Sequence, residues 1–147
     1  MASTAIPALE TPAVNAQGEV SLIRLCVLRA TYLLIIVGLG VTTVPGMVSH
    51  PVTDHGIIAA LLGGFWALAF LGLRYPLQML PLLMFELVWK TIWVVSFGLP
   101  AWSAGLLTPV IAEDLKATLM GVILMPLVIP WGYVWHRYVK QPGDRWR

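Results

Sequence analysis

The sequence predicts an all-α integral membrane protein, a four-helix bundle in lipid with a disordered N-terminal tail, on three observations. Of its 147 residues, 59% are hydrophobic and 11% charged, against about 45–50% and about 25% in soluble domains. Four apolar stretches each approach the roughly 20 residues that a helix needs to cross a hydrocarbon core about 30 Å thick. If all four cross, Arg24, Arg29, Arg74, Arg137, Lys140, Arg145 and Arg147 share one side.

The same composition excludes several classes. A net charge of +2 is too small for a nucleic-acid footprint, so no nucleic acid is expected as a partner. A single cysteine, Cys26, cannot staple a secreted module. The mean hydropathy of +0.83 leaves too little polar surface to face water. No phosphate-binding loop, nucleophile elbow or His-Glu-x-x-His pair occurs in the sequence.

Residues 1–21 are rich in Ala, Ser, Thr and Pro, carry Glu10 and Glu19, and hold no Lys or Arg. They lack the positive leader of a signal peptide and have too little apolar surface to offset ordering entropy, so a disordered cytoplasmic tail is expected. The helical domain then covers 22–138, with helices at about 25–44, 56–73, 77–98 and 117–135. Pro45-Gly46 ends the first segment, and the second is free of charge. The third begins after Arg74 and stops at Gly98-Leu99-Pro100, leaving 100–112 as an interfacial stretch beside Trp102. Pro126 and Pro130 lie in the fourth segment, where each removes a backbone donor and kinks the helix. Residues 139–147 form a basic cytoplasmic tail.

Excess Lys and Arg mark cytoplasmic loops. Both termini are therefore expected in the cytoplasm, with Trp131, Tyr133, Trp135 and Tyr138 in the inner aromatic belt. Inside lipid, helices associate through close backbone approach at small residues. The second segment offers Ala59, Gly63 and Ala67 at four-residue spacing, with Gly56, Ala60 and Gly64 beside them, and is expected at the centre of the bundle.

The sharpest chemical signal lies in the third segment, where Glu86 and Lys90 are one turn apart and share a face. A charge near the bilayer midplane costs about 2.5–3.5 kcal/mol on insertion scales, so the two are expected as an intramembrane ion pair facing the bundle. Trp89 and Trp93 form the adjoining aromatic face, with the Lys90 ammonium over the Trp93 ring. The pair either fixes helix register or makes Glu86 a proton or cation site. A second, external cluster comprises His50, Asp54 and His55 with Glu113 and Asp114. Its spacing matches no defined metal motif, and Asp54 or Thr53 serves more simply as a helix cap. No histidine lies mid-span to ligate haem, and neither metal nor cofactor is expected.

Four short helices with an intramembrane Glu resemble, in bare plan, the small multidrug resistance transporters. In that family the functional Glu lies in the first helix, and here the first segment has no acid, so no residue role carries over. The stretch from Arg74 through Trp93 resembles a signature of small bacterial membrane proteins and implies no activity.

The expected function is binding or assembly within a bacterial inner membrane rather than catalysis. The bilayer and a second copy or another membrane protein are its partners. Two alternatives stay open: a small proton- or cation-coupled transporter using Glu86, and a membrane-embedded enzyme acting on a lipid or quinone.

Overall fold

Ser21 opens the first helix, its hydroxyl accepting the Arg24 backbone N–H at 3.3 Å. This computed structural model describes residues 20–49 and 56–142, and every regular element among them is helical. Val20 is buried and Ser21 caps, so these two residues of the expected tail belong to the helical part. Residues 1–19 and 143–147 lie outside the described residues, as do the tail expectations that fall on them.

Helix α1 spans Leu22–Thr42 and is followed, across Thr43, by α2 at Val44–Ser49. Pro45-Gly46 does not end the apolar rod as the sequence suggested. The proline falls in the first turn of α2, where its missing donor is tolerated, and Leu22–Ser49 makes one apolar stretch of 28 residues. Helix α3 follows at Gly56–Arg74.

The third segment differs at both ends from the expected 77–98. Pro81 sits in the first turn of α4, Leu80–Trp93, because its fixed φ suits that position. A π-helical turn at Val94–Gly98 then leads into α5, Leu99–Ser103. The Leu99 N–H donates to Val94 O, one residue wider than an α-turn, and this shift brings Pro100 into the first turn of α5. Proline therefore re-registers the helix instead of stopping it. The chain reverses at Gly105, whose φ of 67° suits a residue without a Cβ. The interfacial stretch expected at 100–112 is accordingly split between the end of one helix and the start of the next.

Helix α6 covers Pro109–Val128, starting well before the expected 117. Thr108 caps it by accepting the Ile111 N–H at 3.3 Å, and Pro109 occupies its first turn. It ends where Ile129 turns extended, at ψ 123°, the conformation forced on a residue that precedes proline. Helix α7, Trp131–Trp135, and a π-helical turn at His136–Lys140 are the last elements among the described residues, bent by 74° from α6. Pro130 cannot donate to Pro126 O, and the Trp131 indole N–H donates there instead at 2.8 Å. Trp131→Phe should cost about 1 kcal/mol and speed amide exchange in α7, read by hydrogen–deuterium exchange of the solubilised protein.

Three helical stretches are long and apolar enough to cross a membrane: Leu22–Ser49, Gly56–Arg74 and Leu80–Ser103. A fourth exists if Pro109–Val128 and Trp131–Lys140 are one broken span. Helix α1 packs mainly on α3, and α4 on α6, while narrower contacts join α1 to α6 and α3 to α4. The second segment is therefore not central: α3 makes no close backbone approach to α6. Leu28 and Tyr32 of α1, Ala69 of α3, Leu80 and Leu83 of α4 and Met125 of α6 share a core. They lie toward the start of α1 and α4 and the end of α3 and α6, so all four stretches meet at the end that carries Arg24, Arg29 and Arg74.

Close approach uses glycines facing large side chains, and of the two stripes read from the second segment Gly63 is the glycine that does so. A Cβ on Gly63 would meet Met47 Sδ at 2.7 Å, and one on Gly40 would meet Trp66 Nε1 at 3.2 Å. Gly72 receives the buried ring of Tyr32, whose hydroxyl donates to Pro76 O at 3.3 Å. Of the expected residues, Ala59 and Gly63 are half-buried, whereas Gly56, Ala60, Gly64 and Ala67 are exposed, with open space around Gly56 and Gly64. Spacing alone identified small residues but not where a bulky neighbour would fill the notch.

Candidate functional site: a closed ion pair between α4 and α6

Helix α4 is apolar except for Glu86, Lys90 and Thr91. At 1.5 Å per residue, Glu86 lies about 9 Å and Lys90 about 15 Å beyond Leu80, inside the apolar stretch Leu80–Ser103. Lys90 Nζ stands 2.8 Å from Glu86 Oε1. The Trp89 indole N–H donates to the other oxygen, Oε2, at 2.8 Å. Glu86 is 6% exposed, and the Lys90 side chain 17%. Among the described residues no buried side-chain polar atom lacks a partner, so the carboxylate exchanges water for two donors of its own helix.

Helix α6 closes the group from the other side at Gly121. A Cβ there would lie 2.6 Å from both Cδ and Nζ of Lys90. A side chain there would push the lysine stem out of its place between the two helices. The cation also lies over the Trp89 ring, 5.6 Å from its centroid. This corrects the expected stacking on Trp93. Helical side chains lean toward the N-terminus, which carries the lysine stem back toward Glu86 and away from Trp93. Trp93 instead flanks Gly98 in the π-helical turn, where a Cβ would meet its ring at 3.0 Å.

The external cluster is not assembled among the described residues. His50, Asp54 and His55 lie outside them. Glu113 and Asp114 are exposed in the early turns of α6, on a helix rather than in the expected loop. Among the described residues no group of three His, Cys, Asp or Glu is placed to hold a metal ion.

Two features of the site escaped sequence reasoning. The choice of Trp89 over Trp93 depends on side-chain direction. The role of Gly121 depends on α6 facing α4.

No protein-family model, curated protein or solved structure matches this chain. The function must therefore be argued from the geometry itself.

Proposed function

We propose that the chain is a small polytopic integral membrane protein of a bacterial inner membrane, four helices bundled with both ends in the cytoplasm. Its role in this reading is binding or assembly within the membrane, with the bilayer and a second copy or another membrane protein as partners. The long apolar stretches and their exposed Leu, Ile, Val and Phe surface support residence in lipid. The positions of Arg24, Arg29, Arg74, Arg137 and Lys140 support the orientation.

One observation carries the choice between a structural and a transporting role for Glu86. Both of its oxygens are engaged by the chain's own donors, Lys90 and Trp89. A carrier carboxylate must exchange its ligand, whereas this one is held by the helix on which it sits. The group then acts as an internal lock that fixes how α4 is turned toward α6.

The test uses the full chain in sealed vesicles carrying a pH-sensitive dye. Wild type and Glu86→Gln should dissipate an imposed proton or cation gradient at the same background rate. A wild-type flux that Glu86→Gln abolishes, with the fold intact by circular dichroism, would replace this reading with the carrier. Reagent labelling of cysteines placed near each terminus should reach both from the same face. Labelling from opposite faces would overturn the four-span arrangement.

A further inference from the structure

We propose that Arg29 and Arg74 form a headgroup site for an anionic phospholipid, between α1 and the turn joining α3 to α4. The proposal rests on the membrane reading above and specifies which lipid chemistry the basic end selects.

An open pocket of about 370 Å³ lies there, with Arg29, Arg74, Tyr75 and Gln78 among its polar lining and Leu22 and Leu25 on its apolar side. The two guanidinium groups come from different helices, so the pocket exists only because α1 and α3 are paired. Tyr32 holds that pairing from inside, its ring against Gly72 and its hydroxyl on Pro76 O. The turn is thus fixed at a residue that also lines the pocket, Pro76. Arg74 lies over the Tyr75 ring, 5.6 Å from its centroid, which restricts where its planar fork points.

Charge complementarity decides the occupant. Among the described residues the single ion pair is Glu86 with Lys90, so neither arginine is paired there with a carboxylate. Guanidinium groups bind phosphate oxygens through paired, charge-assisted hydrogen bonds, and basic pockets between membrane helices take anionic headgroups. The apolar side favours a lipid over free phosphate. Leu33, one turn deeper than Arg29 on the same face of α1 and 52% exposed, offers a surface for the first carbons of an acyl chain. Arg29 lies about 10 Å along α1 from Leu22, a depth from which its long side chain reaches the headgroup layer. Tyr75 and Gln78 add donors for a polar headgroup.

The experiment takes the full chain in neutral detergent, titrated with phosphatidylglycerol, phosphatidylcholine or inorganic phosphate, and counts retained lipid by native mass spectrometry. Phosphatidylglycerol should be retained in preference to phosphatidylcholine, with each arginine contributing about a fivefold preference. Arg29→Gln and Arg74→Gln should each lose about that factor, and the double variant the whole preference. Lys116→Gln, on the early turns of α6, should lose none. Should the double variant fail to fold by circular dichroism, the single variants decide.

Equal retention of the two lipids, or a preference unchanged in both single variants, would overturn the site. Displacement of the lipid by millimolar inorganic phosphate would overturn a lipid site in favour of a simple anion site. Extraction of the chain from membranes by alkaline carbonate would instead overturn the membrane reading itself, so the two failures are distinct.

Discussion

Glu86→Gln and Lys90→Met should each destabilise the solubilised protein by about 3 kcal/mol or more, whereas the double variant should recover most of that loss. The reason is asymmetry. Intact, the pair carries no net charge, and the Trp89 indole completes the carboxylate. Removing the carboxylate leaves an unpaired ammonium on a lysine side chain that is 17% exposed and wedged against Gly121. Removing the lysine leaves the carboxylate with Trp89 alone. Either orphan carries a cost of the size seen for charges inserted near the bilayer centre, about 2.5–3.5 kcal/mol. Replacing both removes that cost, and methionine refills the lysine volume with a flexible apolar chain. A double-mutant cycle on urea or thermal midpoints in detergent measures the coupling, and strict additivity of the two losses would dismiss the lock.

The second large effect is expected at Gly72. Gly72→Ala places a methyl group into the ring of Tyr32, a side chain that is fully buried and tied to Pro76 O. The ring cannot withdraw without giving up that bond, so overpacking should cost about 1–3 kcal/mol. Gly64→Ala serves as the control. It lies in the same helix with open space beside it, and alanine is the better helix former by about 1 kcal/mol, so it should be neutral or stabilising. Combining Gly72→Ala with Tyr32→Leu should regain part of the loss by opening the notch. Thermal melts in one detergent compare all four proteins, and equal behaviour of Gly72→Ala and Gly64→Ala would show that the notch is not tight.

These expectations separate the glycines that the sequence could not. Gly63, Gly64 and Gly72 lie in one apolar run and look alike in sequence. Their difference arises from neighbours on α1 and α2, Tyr32 and Met47, which only pairing brings near. Proline behaved similarly. Pro45 and Pro100 read as stops, yet each, like Pro109, occupies an early helical turn, where a missing donor is harmless. Pro130 does break the rod, because Ile129 before it is forced out of the helical region and the bend reaches 74°.

Composition and periodicity alone determined that this chain is helical and apolar enough to cross a membrane. Those properties are sums over segments, and lipid admits no unpaired backbone within a span. The spacing of Glu86 and Lys90 likewise followed from the helical repeat, because residues four apart must share a face. Only the tertiary structure decided which glycines are notches, and that Arg29 and Arg74 open onto one pocket. Those are contacts between segments far apart in the chain, and no local rule of spacing encodes the rotation that brings one helix against another.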